Sequence, residues 1–141
     1  MKKVMALINF SELTRKIVDI SAEQAKSFDA ELCLLHVEPG SGEKLYRHID
    51  KAERDRRAQI LRFEHADLLA KAKELRKLGL TVKPMLLEGA EAEMILESLS
   101  EISPDLLVMG NHHHGALYNF LVGSVGEEIL KEAETPILLV S

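Results

Sequence analysis

Apolar positions fall into short runs separated by longer stretches in which they recur every three or four residues. Val4 to Ile8, Leu32 to Val37, Leu106 to Met109 and Ile137 to Val140 carry little or no polar alternation. Runs of this kind read as strands buried on both faces. Leu80 to Leu87 reads as a further strand, and Pro84 within it points to a sheet edge, because proline cannot donate to a central ladder. The stretches between follow a helical period. Leu13, Ile17, Ile20 and Phe28 recur with Lys, Asp and Glu between them, and Ser11 stands where a capping residue is expected. From about Glu43 to Leu78 the sequence predicts one long helix with Ile60, Leu61, Leu68, Leu69, Ala72 and Leu75 on its apolar side, stopped by Gly79. Ala90 to Ile102 predicts another, with Met94, Ile95, Leu99 and Ile102 inward. Val125, Ile129, Leu130 and Ala133 mark the last helix, and Pro39-Gly40-Ser41-Gly42 reads as a loop.

Strict alternation of strand and helix predicts an α/β fold, a single open five-stranded parallel sheet with right-handed crossovers and helices on both faces. No internal repeat or linker divides the chain, so residues 1–141 are expected to form one domain. In sheets of this kind ligands bind beyond the carboxyl ends of the strands, where the strand order reverses. For the order 3-2-1-4-5 that crevice lies between the ends of strands one and four. Asn9-Phe10-Ser11-Glu12 and the segment starting at Gly110 meet there.

Composition sharpens this picture. With 141 residues, 46% of them hydrophobic but only 4% aromatic, the chain is long enough for a real core, and that core must be aliphatic. The formal net charge of −5 argues against nucleic acid or an anionic membrane as partner. Arg54, Arg56, Arg57 and Arg62 do cluster, but Glu53, Asp55, Glu64 and Asp67 are interleaved with them, as on a solvated helix face. Cys33 is the sole cysteine, set in an apolar run where it reads as a small hydrophobe. The first apolar run is too short for a signal-peptide core, and no run approaches the roughly 20 residues of a membrane helix. A cytoplasmic location is the expectation.

The segment from Val108 to Ser124 carries the strongest chemical signal. It leaves a strand end and enters a helix start, with Gly110, Gly115 and Gly123 along it. Glycine lets backbone N–H groups approach a ligand closely, and a helix N-terminus offers unpaired donors and partial positive charge suited to phosphate. Gly123 and Ser124 lie where such an anion would sit. Ser124 followed by Glu127 is also a capping box, which satisfies the same donors internally. The spacing alone leaves both readings open.

The whole chain, from Val4–Glu12 to Pro136–Val140, resembles the universal stress protein family. The nucleotide-binding branch of that family carries G-x2-G-x9-G-[S/T] after strand four. Here Gly110 fills the first position, Gly123 the third and Ser124 the last, while His113 stands at the second. The flanking residues His114 to Leu117 and Leu121 to Val125 match the pattern closely. A side chain at position 113 either takes space the phosphates need or turns its imidazole toward them. The family's V-D-x-S after strand one is Ile8-Asn9-Phe10-Ser11 here, so Asn9 keeps size and hydrogen-bonding capacity without the charge. The resemblance implies a Rossmann-like fold of the adenine nucleotide alpha hydrolase kind. It also implies a regulatory stress-response protein binding ATP or a related adenine nucleotide, with magnesium as its companion ion. Gly110, Gly123 and Ser124 would hold the phosphates, with His112, His113 and Val125 also in the nucleotide site. Asn9 and Val37 would line the adenosine end, with Ile8 and Met109 also near the nucleotide.

Two other readings stand beside this one: an interaction module of the same fold that binds no nucleotide, and a slow nucleotide hydrolase. No G-x-S-x-G, Walker A, H-E-x-x-H or C-x-x-C pattern is present, and no catalytic residue is assigned. Adjacent histidines in an extended loop point to different sides, so the run His112-His113-His114 predicts no native metal site, and His36, His48 and His65 are scattered. The segment 136–140 is apolar on both faces and predicted at a sheet edge, where pairing with a second copy would cover it. The family resemblance implies the same homodimer. A further protein partner is expected but not identified by the sequence.

Overall fold

The apolar runs become parallel strands. The computed structural model describes residues 1–39, 51–111 and 125–141. Within them lie β1 (Lys3–Leu7), α1 (Thr14–Ser27), β2 (Glu31–Pro39), α2 (Lys51–Lys77), β3 (Val82–Gly89), α3 (Glu91–Ile102), β4 (Leu106–Gly110), α4 (125–132) and β5 (Ile137–Val140). The strands form one five-stranded sheet in the order β3-β2-β1-β4-β5. The expected topology is therefore the observed one, with every pair parallel. β1 is central, with Met5 opposite Cys33 on one side and Leu107 on the other.

Strand side chains alternate faces, so the sheet separates its apolar residues by parity. Val4, Ala6, Leu32, Leu34 and Val108 pack with Ile17, Val18 and Ala25 of α1 and Leu68, Ala72 and Leu75 of α2. Met5, Cys33, Leu35, Val37, Leu107 and Met109 pack on the opposite face with Ile95 and Leu99 of α3 and Ile129 of α4. Burial on both faces is why these strands read as continuous apolar runs. β3 is an edge strand, as Pro84 requires.

Several helix positions depart from the expected inward set. Phe28 is exposed, as are Ile60 and Leu69 on α2 and Leu130 on α4. α2 is 27 residues long, and its buried residues, Leu68, Ala72 and Leu75, all fall in its C-terminal half. Ser11 is not the cap of α1. The cap position is Leu13, which makes no side-chain capping bond, and Ser11 Oγ instead accepts the Leu13 N–H at 3.2 Å in the turn before the helix. β3 begins at Val82 rather than Leu80 and runs on through Gly89. The loop expected at Pro39 to Gly42 falls, beyond Pro39, outside the described residues.

Candidate functional site at the strand-order reversal

β1 continues as Ile8-Asn9, and the Ile8 N–H donates to the Leu35 carbonyl at 2.7 Å, holding the chain beside β2 past the formal end of the strand. The backbone then turns sharply. Asn9 Oδ1 accepts the Ser11 N–H at 3.2 Å, and Phe10 takes φ 55°, a left-handed conformation uncommon for a bulky residue. The Phe10 ring meets the His36 imidazole edge-on, with centroids 4.6 Å apart, and Lys71 Nζ lies 5.8 Å from the ring centroid. These two contacts help hold the ring where the strained backbone places it, and backbone strain of this kind concentrates at functional turns.

Across the crevice, β4 ends at Gly110, and the Asn111 N–H donates to the Val140 carbonyl at 2.7 Å. A Cβ placed on Gly126 would stand 3.6 Å from Met109 Cε, so the start of α4 lies against the end of β4. The structure thus brings Ile8, Asn9, Met109, Gly110 and Val125 to the carboxyl edge of the sheet, with Val37 at the end of β2 beside them. Ile8, Val37 and Met109 are buried there, and Asn9, Gly110 and Val125 are half-buried. His112, His113, Gly123 and Ser124 lie outside the described residues.

Sequence reasoning missed a second constellation at this edge. His36 and Glu38, two apart on β2, share a face, and Glu64 of α2 reaches the same point. His36 Nε2 lies 3.1 Å from Glu38 Oε2 and 3.1 Å from Glu64 Oε2, while Nδ1 lies 2.5 Å from the Ile8 carbonyl oxygen. His36 is buried. Glu64 Oε2 is also buried, and no hydrogen-bond donor is aligned on it. Burial, with a hydrogen bond to Glu38, pushes the Glu64 carboxyl up to about 7 against the opposing pull of His36. Burial likewise raises Glu91 at the start of α3, where His36 lowers it and Glu38 raises it. The His36-x-Glu38 spacing was visible in the chain. Its convergence with Glu64 was not, because that depends on how α2 lies along β2 and β3.

The Universal stress protein family profile matches residues 1–141, and the chain belongs to that family. Universal stress protein MJ0531 of Methanocaldococcus jannaschii is 28% identical over 99% of this chain and 81% of its own length. A universal stress protein of Thermus aquaticus is 26% identical over 99% of this chain and 98% of its own. Among solved structures, MJ0577 superposes with a TM-score of 0.73 at 26% identity, covering 99% of this chain and 94% of that one. A universal stress protein in complex with cAMP superposes at 0.73 with 21% identity, covering 99% and 97% of the two chains. The Archaeoglobus fulgidus protein in complex with dAMP superposes at 0.64 with 18% identity, covering 100% and 98%. At these last two identities the likeness is one of fold. No helix among the described residues is long and apolar enough to cross a membrane.

Proposed function

We propose that this universal stress protein is an adenine-nucleotide-binding regulatory protein, with residues 1–141 acting as one domain and the ligand lying across the ends of β1 and β4. The observation that carries the reading is the meeting of Ile8-Asn9 and Gly110-Asn111 where the sheet order reverses, the position at which open α/β sheets take their ligands. The G-x2-H-x9-G-S spacing starting at Gly110 and running into α4 supports the same reading. So do the complexes of two relatives of this fold with cAMP and dAMP. Ile8, Val37 and Met109 would form an apolar wall for the base, and Asn9 would offer a polar contact. Gly110, Val125 and the segment holding His112, His113, Gly123 and Ser124 would take the phosphates, with magnesium beside them.

The test is the small-molecule content of protein purified without added nucleotide, released by denaturation and read by mass spectrometry, followed by calorimetric ATP titration of the emptied protein. Adenine nucleotide is expected in the released fraction, together with micromolar binding that Gly123→Val abolishes. No nucleotide and no heat at millimolar ATP would overturn the proposal. That outcome would leave the second reading, a dimeric interaction module of the same fold. It has its own support: Asn9 Oδ1 is already engaged by the Ser11 N–H, and Val37 and Met109 are packed into the core. Magnesium-dependent turnover lost in Gly123→Val would instead identify a slow hydrolase.

A further inference from the structure

We propose that His36, Glu38 and Glu64 form a binding site for one divalent cation of the zinc class, independent of any nucleotide. Their ligand atoms all lie within 4.8 Å of one another. They come from two elements, adjacent positions of one face of β2 and the middle of α2.

The protons on the imidazole decide what this cluster can hold. A carbonyl oxygen only accepts, so the contact between Nδ1 and the Ile8 oxygen fixes the hydrogen on Nδ1. The ring nitrogen aimed at the carboxylates is therefore Nε2. Metal-binding histidines are oriented in this way, donating one N–H to a carbonyl or carboxylate and presenting the other nitrogen to the ion. Without an ion the arrangement is poorly satisfied. Two carboxylate oxygens converge on Nε2, which carries at most one hydrogen, and Glu64 Oε2 is left buried without an aligned donor. One divalent ion among the three atoms would satisfy all of them.

The spacing suits such an ion. Zinc bonds of about 2.0–2.1 Å in tetrahedral geometry place neighbouring ligand atoms about 3.3 Å apart. Nε2 already stands 3.1 Å from each carboxylate oxygen, so rotation of a carboxylate is the main adjustment needed to close the third side. One imidazole and two carboxylates are a hard-to-borderline donor set, which favours zinc or cobalt over a soft thiolate-seeking ion. Glu38 is the most open of the three side chains, at 29% exposure against 7% for His36 and 15% for Glu64, and gives the ion a way in and a position for water.

The run His112-His113-His114 would bind zinc adventitiously and mask this site, so the experiment uses the full chain with all three replaced by serine. This protein is stripped with a chelator and titrated without nucleotide, with zinc by calorimetry and with cobalt by visible absorption. One equivalent of each ion is expected to bind, with cobalt d–d bands and no thiolate charge-transfer band. Affinity is expected to fall by at least about tenfold in His36→Gln and in Glu64→Gln, each confirmed folded by circular dichroism. Glu64→Gln preserves shape and stands on its own should His36→Gln not fold. Zinc affinity unchanged in Glu64→Gln, or no binding to the serine-substituted protein, would overturn the assignment. Neither result depends on whether the protein takes up nucleotide.

Discussion

At the scale of single residues, burial and hydrogen bonding set chemistry that can be measured directly. Cys33 is buried, its thiol donating to Met85 Sδ at 3.4 Å, and burial pushes it from an ordinary value of 9.0 to about 11. The reactive species is the thiolate, so near pH 8 native Cys33 is expected to react about 100-fold more slowly with an aromatic disulfide reagent than in the unfolded chain. Native and denatured rates within tenfold of each other would contradict this. The same shift has a stability consequence. The folded state holds the thiol proton more tightly than the unfolded state, so the contribution is fully present below pH 9 and lost as pH rises toward 11. Cys33→Ala is expected to flatten that alkaline loss in urea midpoints. Asp105 shows the opposite sign. Its Oδ2 accepts the Lys2 and Lys3 backbone N–H groups at 2.6 and 2.9 Å, and these bonds hold its carboxyl below the ordinary value. Its contribution is present above the unfolded value and lost as pH falls through the lowered one, so Asp105→Asn should flatten the acid limb. Superimposable acid limbs would show that the two bonds contribute nothing to folding.

At the scale of elements, the junction of β3 and α3 rests on a glycine. Gly89 ends β3 with φ 155°, and a Cβ there would stand 2.9 Å from Met94 Cγ and 3.2 Å from its Sδ. Gly89→Ala must displace the Met94 side chain and strain the backbone, and is expected to lower stability by about 1 kcal/mol or more in urea unfolding. An unchanged midpoint would mean the turn relaxes freely. The strands were legible from the sequence because a strand buried on both faces leaves an unbroken apolar run, and Pro84 marked its edge because a residue without a backbone N–H cannot donate to a central ladder in any context. The helices were less legible. On α2 the helical period of Ile60 and Leu69 looked like a core stripe, yet only Leu68, Ala72 and Leu75 are buried. Periodicity reports which residues share a face, not how far the neighbouring sheet extends along it. The crevice was legible because it follows from strand order alone. The His36, Glu38 and Glu64 cluster was not, since Glu64 reads as one charge among many on a polar helix until packing brings it to β2. The Phe10 turn was hidden for a similar reason: nothing in Asn-Phe-Ser announces a left-handed backbone at the aromatic position.

At the scale of the whole molecule, the sheet ends at β5, and the ladder there says which backbone groups are spoken for. The Pro136 and Val140 carbonyls accept the Leu107 and Asn111 N–H groups at 2.9 and 2.7 Å, so these residues turn their backbone groups toward β4. Backbone groups alternate sides along a strand, which turns those of Ile137 and Leu139 away from β4. Among the described residues β5 pairs with β4 alone, and Leu139 is 41% exposed. An apolar edge of this kind invites pairing with a second copy, and a symmetric dimer would cover both edges at once. Leu139→Pro separates that dimer from the fold of the subunit. Proline removes the outward Leu139 N–H and leaves the carbonyls that bond β4 in place, the one orientation in which sheets tolerate it. Light scattering after gel filtration is expected to give a dimer for the natural chain and a monomer for Leu139→Pro, with the far-ultraviolet spectrum unchanged. A monomeric natural chain would remove the edge-paired dimer. A dimer that survives Leu139→Pro would place the contact on another surface.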